Sequence, residues 1–230
     1  EEVPELVIWD VGLGAAANAM AAVQCYEAAA AQGPVRRLKL ISFENDLDSL
    51  RLALTHKSYF PYLRHSGPDA VLARGQWTSR QFPGLSWELL EGDFWERAPQ
   101  ASAKPDLVFY DFFSHKTDTA CWKLASFARL FELVRSERSA ELFTYSASTA
   151  VRAGLLHAGF FVGAGVGTGV KKDTTVALTS GWAGAPRHAL LGAEWLGKWD
   201  RSQAKFPDGL TEPERVAFED KIRRHPQFAG

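Results

Sequence analysis

The stretch Leu107-Val108-Phe109-Tyr110-Asp111-Phe112-Phe113-Ser114-His115-Lys116 decides the fold. Leu107 to Tyr110 is an unbroken apolar run of strand length that ends in a carboxylate and opens into a polar loop, the pattern of a strand buried on both faces. In open α/β sheets, ligands gather at the carboxyl ends of the strands, so Asp111 is a candidate site residue. Phe113, Lys116 and, further on, Trp122 supply aromatic faces and a cation that can enclose a flat or charged substrate group. A strand end with a capping Asp and a few packing aromatics fits this segment equally well on its own; its surroundings separate the two readings.

Working outward, apolar runs that stop at an acidic residue recur. Leu6 to Trp9 ends at Asp10, Leu38 to Phe43 ends at Glu44, and Trp87 to Leu90 runs to Gly92-Asp93. Helical stretches alternate with them. Ala15 to Ala31 is Ala-rich and free of proline and glycine, and Gly33-Pro34 stops it. Helices are also expected over 47–56, 69–76, 119–134 and 148–157, with Ser148 as an N-cap and Gly159 just past the end. A further strand is expected at 141–145. Phe160 to Val162 and Thr174 to Leu178 then follow with no helix between them. Alternating βα units imply a parallel sheet covered on both faces, and the closing helix-free pair implies one antiparallel strand. The domain is expected to span 1–180. Residues 181–230, rich in Trp and carrying a helix near 213–224, form a tail expected to pack on the main body or on a protein partner.

Composition narrows the function. With 46% hydrophobic residues the chain can bury a full core without disulfides or metal. Cys25 and Cys121 lie far apart in helical patterns and fit buried thiols in a reducing compartment better than a bridge. No Cys/His cluster has metal-ligand spacing, so no metal is expected. The formal net charge of −1 argues against a broad nucleic-acid footprint and leaves room only for a local basic patch. No apolar run is long enough to span a membrane. The opening Glu1-Glu2-Val3-Pro4-Glu5 lacks the basic start and apolar core of a signal peptide. A cytoplasmic chain is expected, and its abrupt start fits one that continues upstream.

The chemistry lies in the order of the strand ends. After Asp10 comes Gly12-Leu13-Gly14-Ala15-Ala16-Ala17-Asn18, where two glycines let the backbone turn and approach a ligand before a helix N-terminus suited to an anion. Glu44, followed by Asn45, is placed to accept from ribose hydroxyls, and Asp93 from an exocyclic amine. Together they suit an adenosine with an anionic tail. The dinucleotide fingerprint Gly-x-Gly-x-x-Gly fails at Ala17, which weakens NAD or FAD and leaves a carboxylate-tailed ligand such as S-adenosylmethionine.

These residues resemble a known family. Asp10 to Asn18 is similar to the Glu-x-Gly-Phe-Gly-x-Gly-x-Asn motif of the methyltransferase domain of the bacterial tRNA wobble-uridine enzyme MnmC and its stand-alone MnmD relatives. Ile41-Ser42-Phe43-Glu44 resembles that family's second strand. Tyr110 to Lys116 with Trp122 resembles its Leu-Asp-Gly-Phe-Ala-Pro-x-Lys-x-Pro-x-x-Trp signature. Phe143 to Ser146, Val151 to Leu155 and Ala158-Gly159-Phe160 resemble its Thr-Phe-Thr-Ser, Val-Arg-x-Gly-Leu and Ala-Gly-Phe run. Gly165 to Lys172 resembles its Gly-x-Gly-x-Lys-Arg hairpin. The likeness covers roughly residues 6 to 179. Asp10 replaces a Glu, Ala16 and Phe112 replace glycines, and His115 replaces a proline.

The resemblance implies a class I methyltransferase: a doubly wound, Rossmann-like, seven-stranded α/β sheet with its last strand antiparallel. It implies S-adenosyl-L-methionine as cofactor, bound by Asp10, Gly12, Gly14, Asn18, Glu44, Asn45, Asp93 and Asp111. It implies methylation of the aminomethyl group of a tRNA wobble uridine, with Asp111 and Phe113 at the reaction centre. Lys116, Trp122, Arg152, Lys171 and Lys172 are the expected tRNA contacts. The alternatives are a small-molecule methyltransferase, an aminopropyl transferase using Asp111 and Asp118, and a catalytically silent binding module of the same fold.

Overall fold

The computed structural model describes residues 4–112, 120–167, 173–180, 188–207 and 209–229. They form two compact units, 1–111 and 112–230.

In the first unit, β1 (Leu6–Val11), α1 (Ala17–Ala30), β2 (Leu38–Glu44), α2 (Asp48–Thr55), α3 (Ser66–Arg74), β3 (Gln76–Thr78), β4 (Leu85–Glu91), α4 (Phe94–Arg97) and β5 (Leu107–Tyr110) follow in chain order. The strands lie in the order β3-β4-β2-β1-β5. β1 pairs parallel with β2 and with β5, and β2 pairs parallel with β4. β1 is buried on both faces because its neighbours carry apolar side chains to both sides. Ile8 joins Leu40, Met20, Val23, Leu50 and Trp87 on one side. On the other, Trp9, Phe43 and Phe94 meet edge to face with centroids 5.1 to 6.4 Å apart.

Two elements of this unit are absent from the sequence reading. β3 is a short antiparallel edge strand on β4. It brings the strands among the described residues to eight, one more than expected. α4 is a single turn that starts where the Asp93 carboxylate accepts from the N–H groups of Trp95 and Glu96.

The second unit holds α5 (Leu124–Val134), β6 (Glu141–Thr144), α6 (Thr149–Ala158), β7 (Phe161–Val166), β8 (Asp173–Leu178), α7 (Ala193–Asp200) and α8 (Glu212–Arg223). β8 runs antiparallel to both β6 and β7, as the helix-free pairing implied. β7 runs on past the expected Val162 through Gly163, Ala164 and Gly165. Gly163 is required there, because an added Cβ would lie 2.7 Å from the Ala189 carbonyl, where the chain bridges to the β7 edge. Gln227 completes the cover: its amide exchanges hydrogen bonds of 2.6 and 2.7 Å with the Val162 backbone. An exposed edge strand is a liability for pairing with other chains, and here residues from 189 onward cover it. α7, missed by the sequence reading, buries Trp195 and Trp199, and α8 buries Phe218 and Ile222.

Neither cysteine is in a disulfide; Cys121 is buried, but Cys25 is exposed rather than buried. Among the described residues no helix is long and apolar enough to cross a membrane, and no group of His, Cys, Asp and Glu is arranged to hold a metal ion.

His157 stacks flat on Phe218, with centroids 4.7 Å apart and planes within 6°. Burial, and then the charge of Lys221, lower its pKa from 6.5 to about 4. The unfolded chain therefore binds this proton more readily than the folded one, and stability falls as the pH drops from about 6.5 toward 4. Replacing His157 by Phe keeps the stack and removes the titration. Urea melts across that range should show a shallower acid-side loss in His157→Phe than in wild type; parallel losses would assign the acid sensitivity elsewhere.

Candidate functional site

The site is built in the first unit from the carboxyl ends of β1, β2 and β5. Asp10 is in β1 and almost fully buried. Its Oδ2 accepts from the Ser42 hydroxyl at 2.9 Å, and the Ser42 oxygen accepts from the Trp87 indole at 2.9 Å. This chain of donors fixes one oxygen. The other, Oδ1, is buried and has no hydrogen-bond partner among the described residues. Burial, followed by the nearby Asp111 and Glu44 carboxylates, raises the Asp10 pKa from 3.8 to about 7, against the opposing Ser42 hydrogen bond.

Glu44, also buried, is held differently. Its Oε2 accepts from the Gly14 N–H at 2.8 Å, and Oε1 accepts from the Asn45 and Asp46 N–H groups at 2.9 and 3.1 Å. Asn45 thus enters the site through its backbone. Glu44 ties the glycine loop to the end of β2. Gly12 and Gly14 both have positive φ, 89° and 51°, and a Cβ added at Gly14 would meet nothing within 4 Å. The loop therefore faces open space, and its backbone can be approached closely. Ala16, which takes the place of the family's third glycine, is left-handed at φ 61° and stands as the N-cap of α1. An alanine in this conformation carries roughly 1–2 kcal/mol of strain, and its fully buried methyl supplies packing in return.

Asn18, in the first turn of α1, donates to Asp111 Oδ2 at 3.0 Å. The structure thus brings Asp10, Gly12, Gly14, Asn18, Glu44, Asn45 and Asp111 together around one loop. Asp93 is exposed, and its Oδ1 is engaged in capping α4, a role the sequence reading did not give it. Sequence reading also missed Ser42 and Trp87; the only trace of their part is a hydroxyl inside an apolar strand.

Of the expected substrate contacts, Arg152 is redirected. It is buried, and its guanidinium donates to the Thr175 hydroxyl, the Asp173 carboxylate and the Thr174 carbonyl at 2.8 to 3.0 Å. It fastens α6 to β8 and is not placed to meet phosphate. Trp122 is half-buried and edge-on to Phe127 at 6.3 Å. Phe113, Lys116, Asp118, Lys171 and Lys172 lie outside the described residues.

The residues present fit S-adenosylmethionine on their own chemistry. The unpartnered Asp10 oxygen needs a donor, which an ammonium supplies. The open glycine loop admits a ligand against its backbone.

Raising the pKa of a buried acid has a defined consequence for stability. Below its unfolded value of 3.8, Asp10 is neutral in both states; as the pH rises to about 7 the unfolded chain ionises first, and the folded state loses stability. Asp10→Asn keeps an acceptor for Ser42 and removes this titration. Its stability relative to wild type should climb from pH 4 to 7, by on the order of a few kcal/mol, and level off above. A difference that does not change with pH in thermal melts would show that Asp10 ionises normally.

Comparison with known proteins agrees with this geometry. Residues 73–180 match a family described as S-adenosyl-L-methionine-dependent methyltransferase. The bifunctional protein MnmC of tRNA 5-methylaminomethyl-2-thiouridine biosynthesis from Chromobacterium violaceum is 30% identical over 206 residues, covering 83% of this chain and 29% of that protein. The MnmC of Pseudomonas aeruginosa strain UCBPP-PA14 is 31% identical over 205 residues, covering 84% and 29%. The chain therefore spans less than a third of the length of these curated relatives. The crystal structure of MnmC2 from Aquifex aeolicus shares the fold, with a TM-score of 0.62 over 96% of this chain and 68% of that one at 22% identity. These matches support an S-adenosyl-L-methionine-dependent methyltransferase similar to the methyltransferase part of MnmC.

Proposed function

We propose that this methyltransferase acts on the aminomethyl group of a tRNA wobble uridine. The observation that carries the donor side is Asp10 Oδ1, a buried acceptor without a donor beside an open glycine loop. The acceptor side rests on the relatives, which are proteins of tRNA 5-methylaminomethyl-2-thiouridine biosynthesis.

Asp10 would receive the ammonium of S-adenosylmethionine, Gly12 and Gly14 would admit its amino-acid part, and Glu44 would meet the ribose. Glu44 retains acceptor capacity for this, since four lone-pair sites face three backbone donors. Asp93 would accept from the adenine amine through the oxygen that does not cap α4. Once bound, the donor supplies an already activated methyl group, so the protein's task is mainly alignment. Asp111, oriented by Asn18, would position the attacking amine and take its proton. Phe113 is proposed to wall the pocket, with Lys116, Trp122, Lys171 and Lys172 contacting the substrate. Residues 1–180 are proposed as the catalytic domain, with the following segment as an addition to it. Two cysteines outside any disulfide suit a reducing compartment and with it a cytoplasmic location.

The decisive experiment incubates the protein with donor and with tRNA from cells lacking the methyl group, then measures modified nucleosides by mass spectrometry. Conversion of the aminomethyl to the methylaminomethyl nucleoside is expected; donor binding without conversion would move the acceptor to a small-molecule amine. Asp111→Asn should lower turnover by roughly 10²-fold and leave donor affinity within a few-fold by calorimetry. A collapse of donor affinity would place Asp111 in the donor site instead, and no change in either would leave it a strand cap.

A further inference from the structure

The second unit holds a groove of about 650 Å³ that the donor site does not use. On one side are Trp122, Lys123 and the start of α6; on the other are Lys205 and Phe206 of the link between α7 and α8, and Arg215 in the first turn of α8. The described residues lining it include these cations and no carboxylate, in a chain whose net charge is −1. The cations differ in their duties. Lys205 is taken up by the fold, with Glu219 at 2.7 Å and Asp200 at 3.3 Å. Lys123 is exposed. Arg215 is exposed and lies over the Phe206 ring, 5.3 Å from its centroid, and its 3.6 Å pair with Glu212 is a surface contact of little strength. Phe206 is braced from behind by Phe218, edge-on at 6.0 Å. The groove therefore offers cations that can meet phosphates beside aromatic and guanidinium faces that can stack on bases. Ser148, Ser202 and Gln203 add hydrogen-bonding groups.

We infer that this groove binds a single-stranded segment of the RNA substrate, with Lys123 and Arg215 on its phosphates and Trp122 and the Arg215–Phe206 pair against its bases. Cationic tracks with interleaved aromatic faces are how single strands are held without base-edge readout, and RNA recognition favours unpaired loops whose bases can splay onto such faces. The inference rests on the tRNA reading above and goes beyond it. Phe206 and Arg215 lie past the segment matched by the methyltransferase family, so the C-terminal part of the chain would contribute to substrate recognition. It also replaces Arg152, which the fold holds internally.

The test measures fluorescence anisotropy of a labelled RNA anticodon stem-loop at several salt concentrations, alongside calorimetry with S-adenosylhomocysteine. Lys123→Glu/Arg215→Glu reverses two exposed charges and should weaken RNA binding at least tenfold while leaving S-adenosylhomocysteine affinity unchanged. Lys123→Ala/Arg215→Ala should lower the salt slope by about one to two, at roughly 0.7–0.9 per lost phosphate contact. Lys123→Arg/Arg215→Lys should retain binding, which separates charge from misfolding. If wild type binds and methylates the RNA and the charge reversal binds as tightly, the groove assignment is overturned and the tRNA function stands. If wild type binds S-adenosylhomocysteine but neither binds nor methylates RNA, both readings fall, and the groove passes to an anionic ligand of another class, such as an acidic protein.

Discussion

A carboxylate is buried at the end of β1 with one oxygen held by Ser42 and the other given no donor among the described residues. Everything near the site is arranged around that imbalance. A buried acceptor left unpaired costs about 1–3 kcal/mol, and two further carboxylates close by add repulsion. The fold engages Glu44 with three backbone N–H groups and orients Asp111 through Asn18. Among the described residues Asp10 receives the Ser42 hydroxyl alone, itself fixed by the Trp87 indole. The strain is therefore concentrated on one oxygen, where a cationic ligand group relieves both the missing hydrogen bond and the excess negative charge. This is a stability deficit placed where binding can offset it.

The glycine loop depends on the same carboxylates. Gly14 donates to Glu44, so the positive-φ turn is anchored at the end of β2 rather than left as a free hairpin. Ala16 shows how far that anchoring reaches. A methyl group is accepted in a left-handed position because it fills space in the core beneath β1.

Much of this was legible in the sequence, and the limits have physical causes. Strands such as Leu38–Phe43 and Leu107–Tyr110 declare themselves because burial on both faces demands continuous apolar runs. Asp10, Glu44 and Asp111 followed from their position at strand ends. β3 escaped notice because Gln76-Trp77-Thr78 is too short for any period and owes its conformation to β4. α4 is set by an Asp93 cap rather than by its own four residues. Arg152 was misread because its partners, Asp173 to Thr175, stand on another element, and neither charge nor spacing reveals that pairing. The indole-to-hydroxyl-to-carboxylate chain was invisible for the same reason: its members come from β4, β2 and β1.

The C-terminal segment serves the fold and the surface at once. Gln227 and the 189–191 bridge close the β7 edge, and the Trp195, Trp199, Phe218 and Ile222 side chains form an apolar layer. Charge is sorted on the same scaffold. Asp200 and Glu219 pair with Lys205 and the exposed Arg223, while Arg215 faces outward on the groove. A groove that engages only about two or three phosphates releases few counterions, so its electrostatic affinity is modest and non-specific RNA is held weakly. Stacking at roughly 1–3 kcal/mol per base then becomes the larger contribution. It operates only where bases are already unpaired, so a groove of this kind selects loops over helices without reading their sequence.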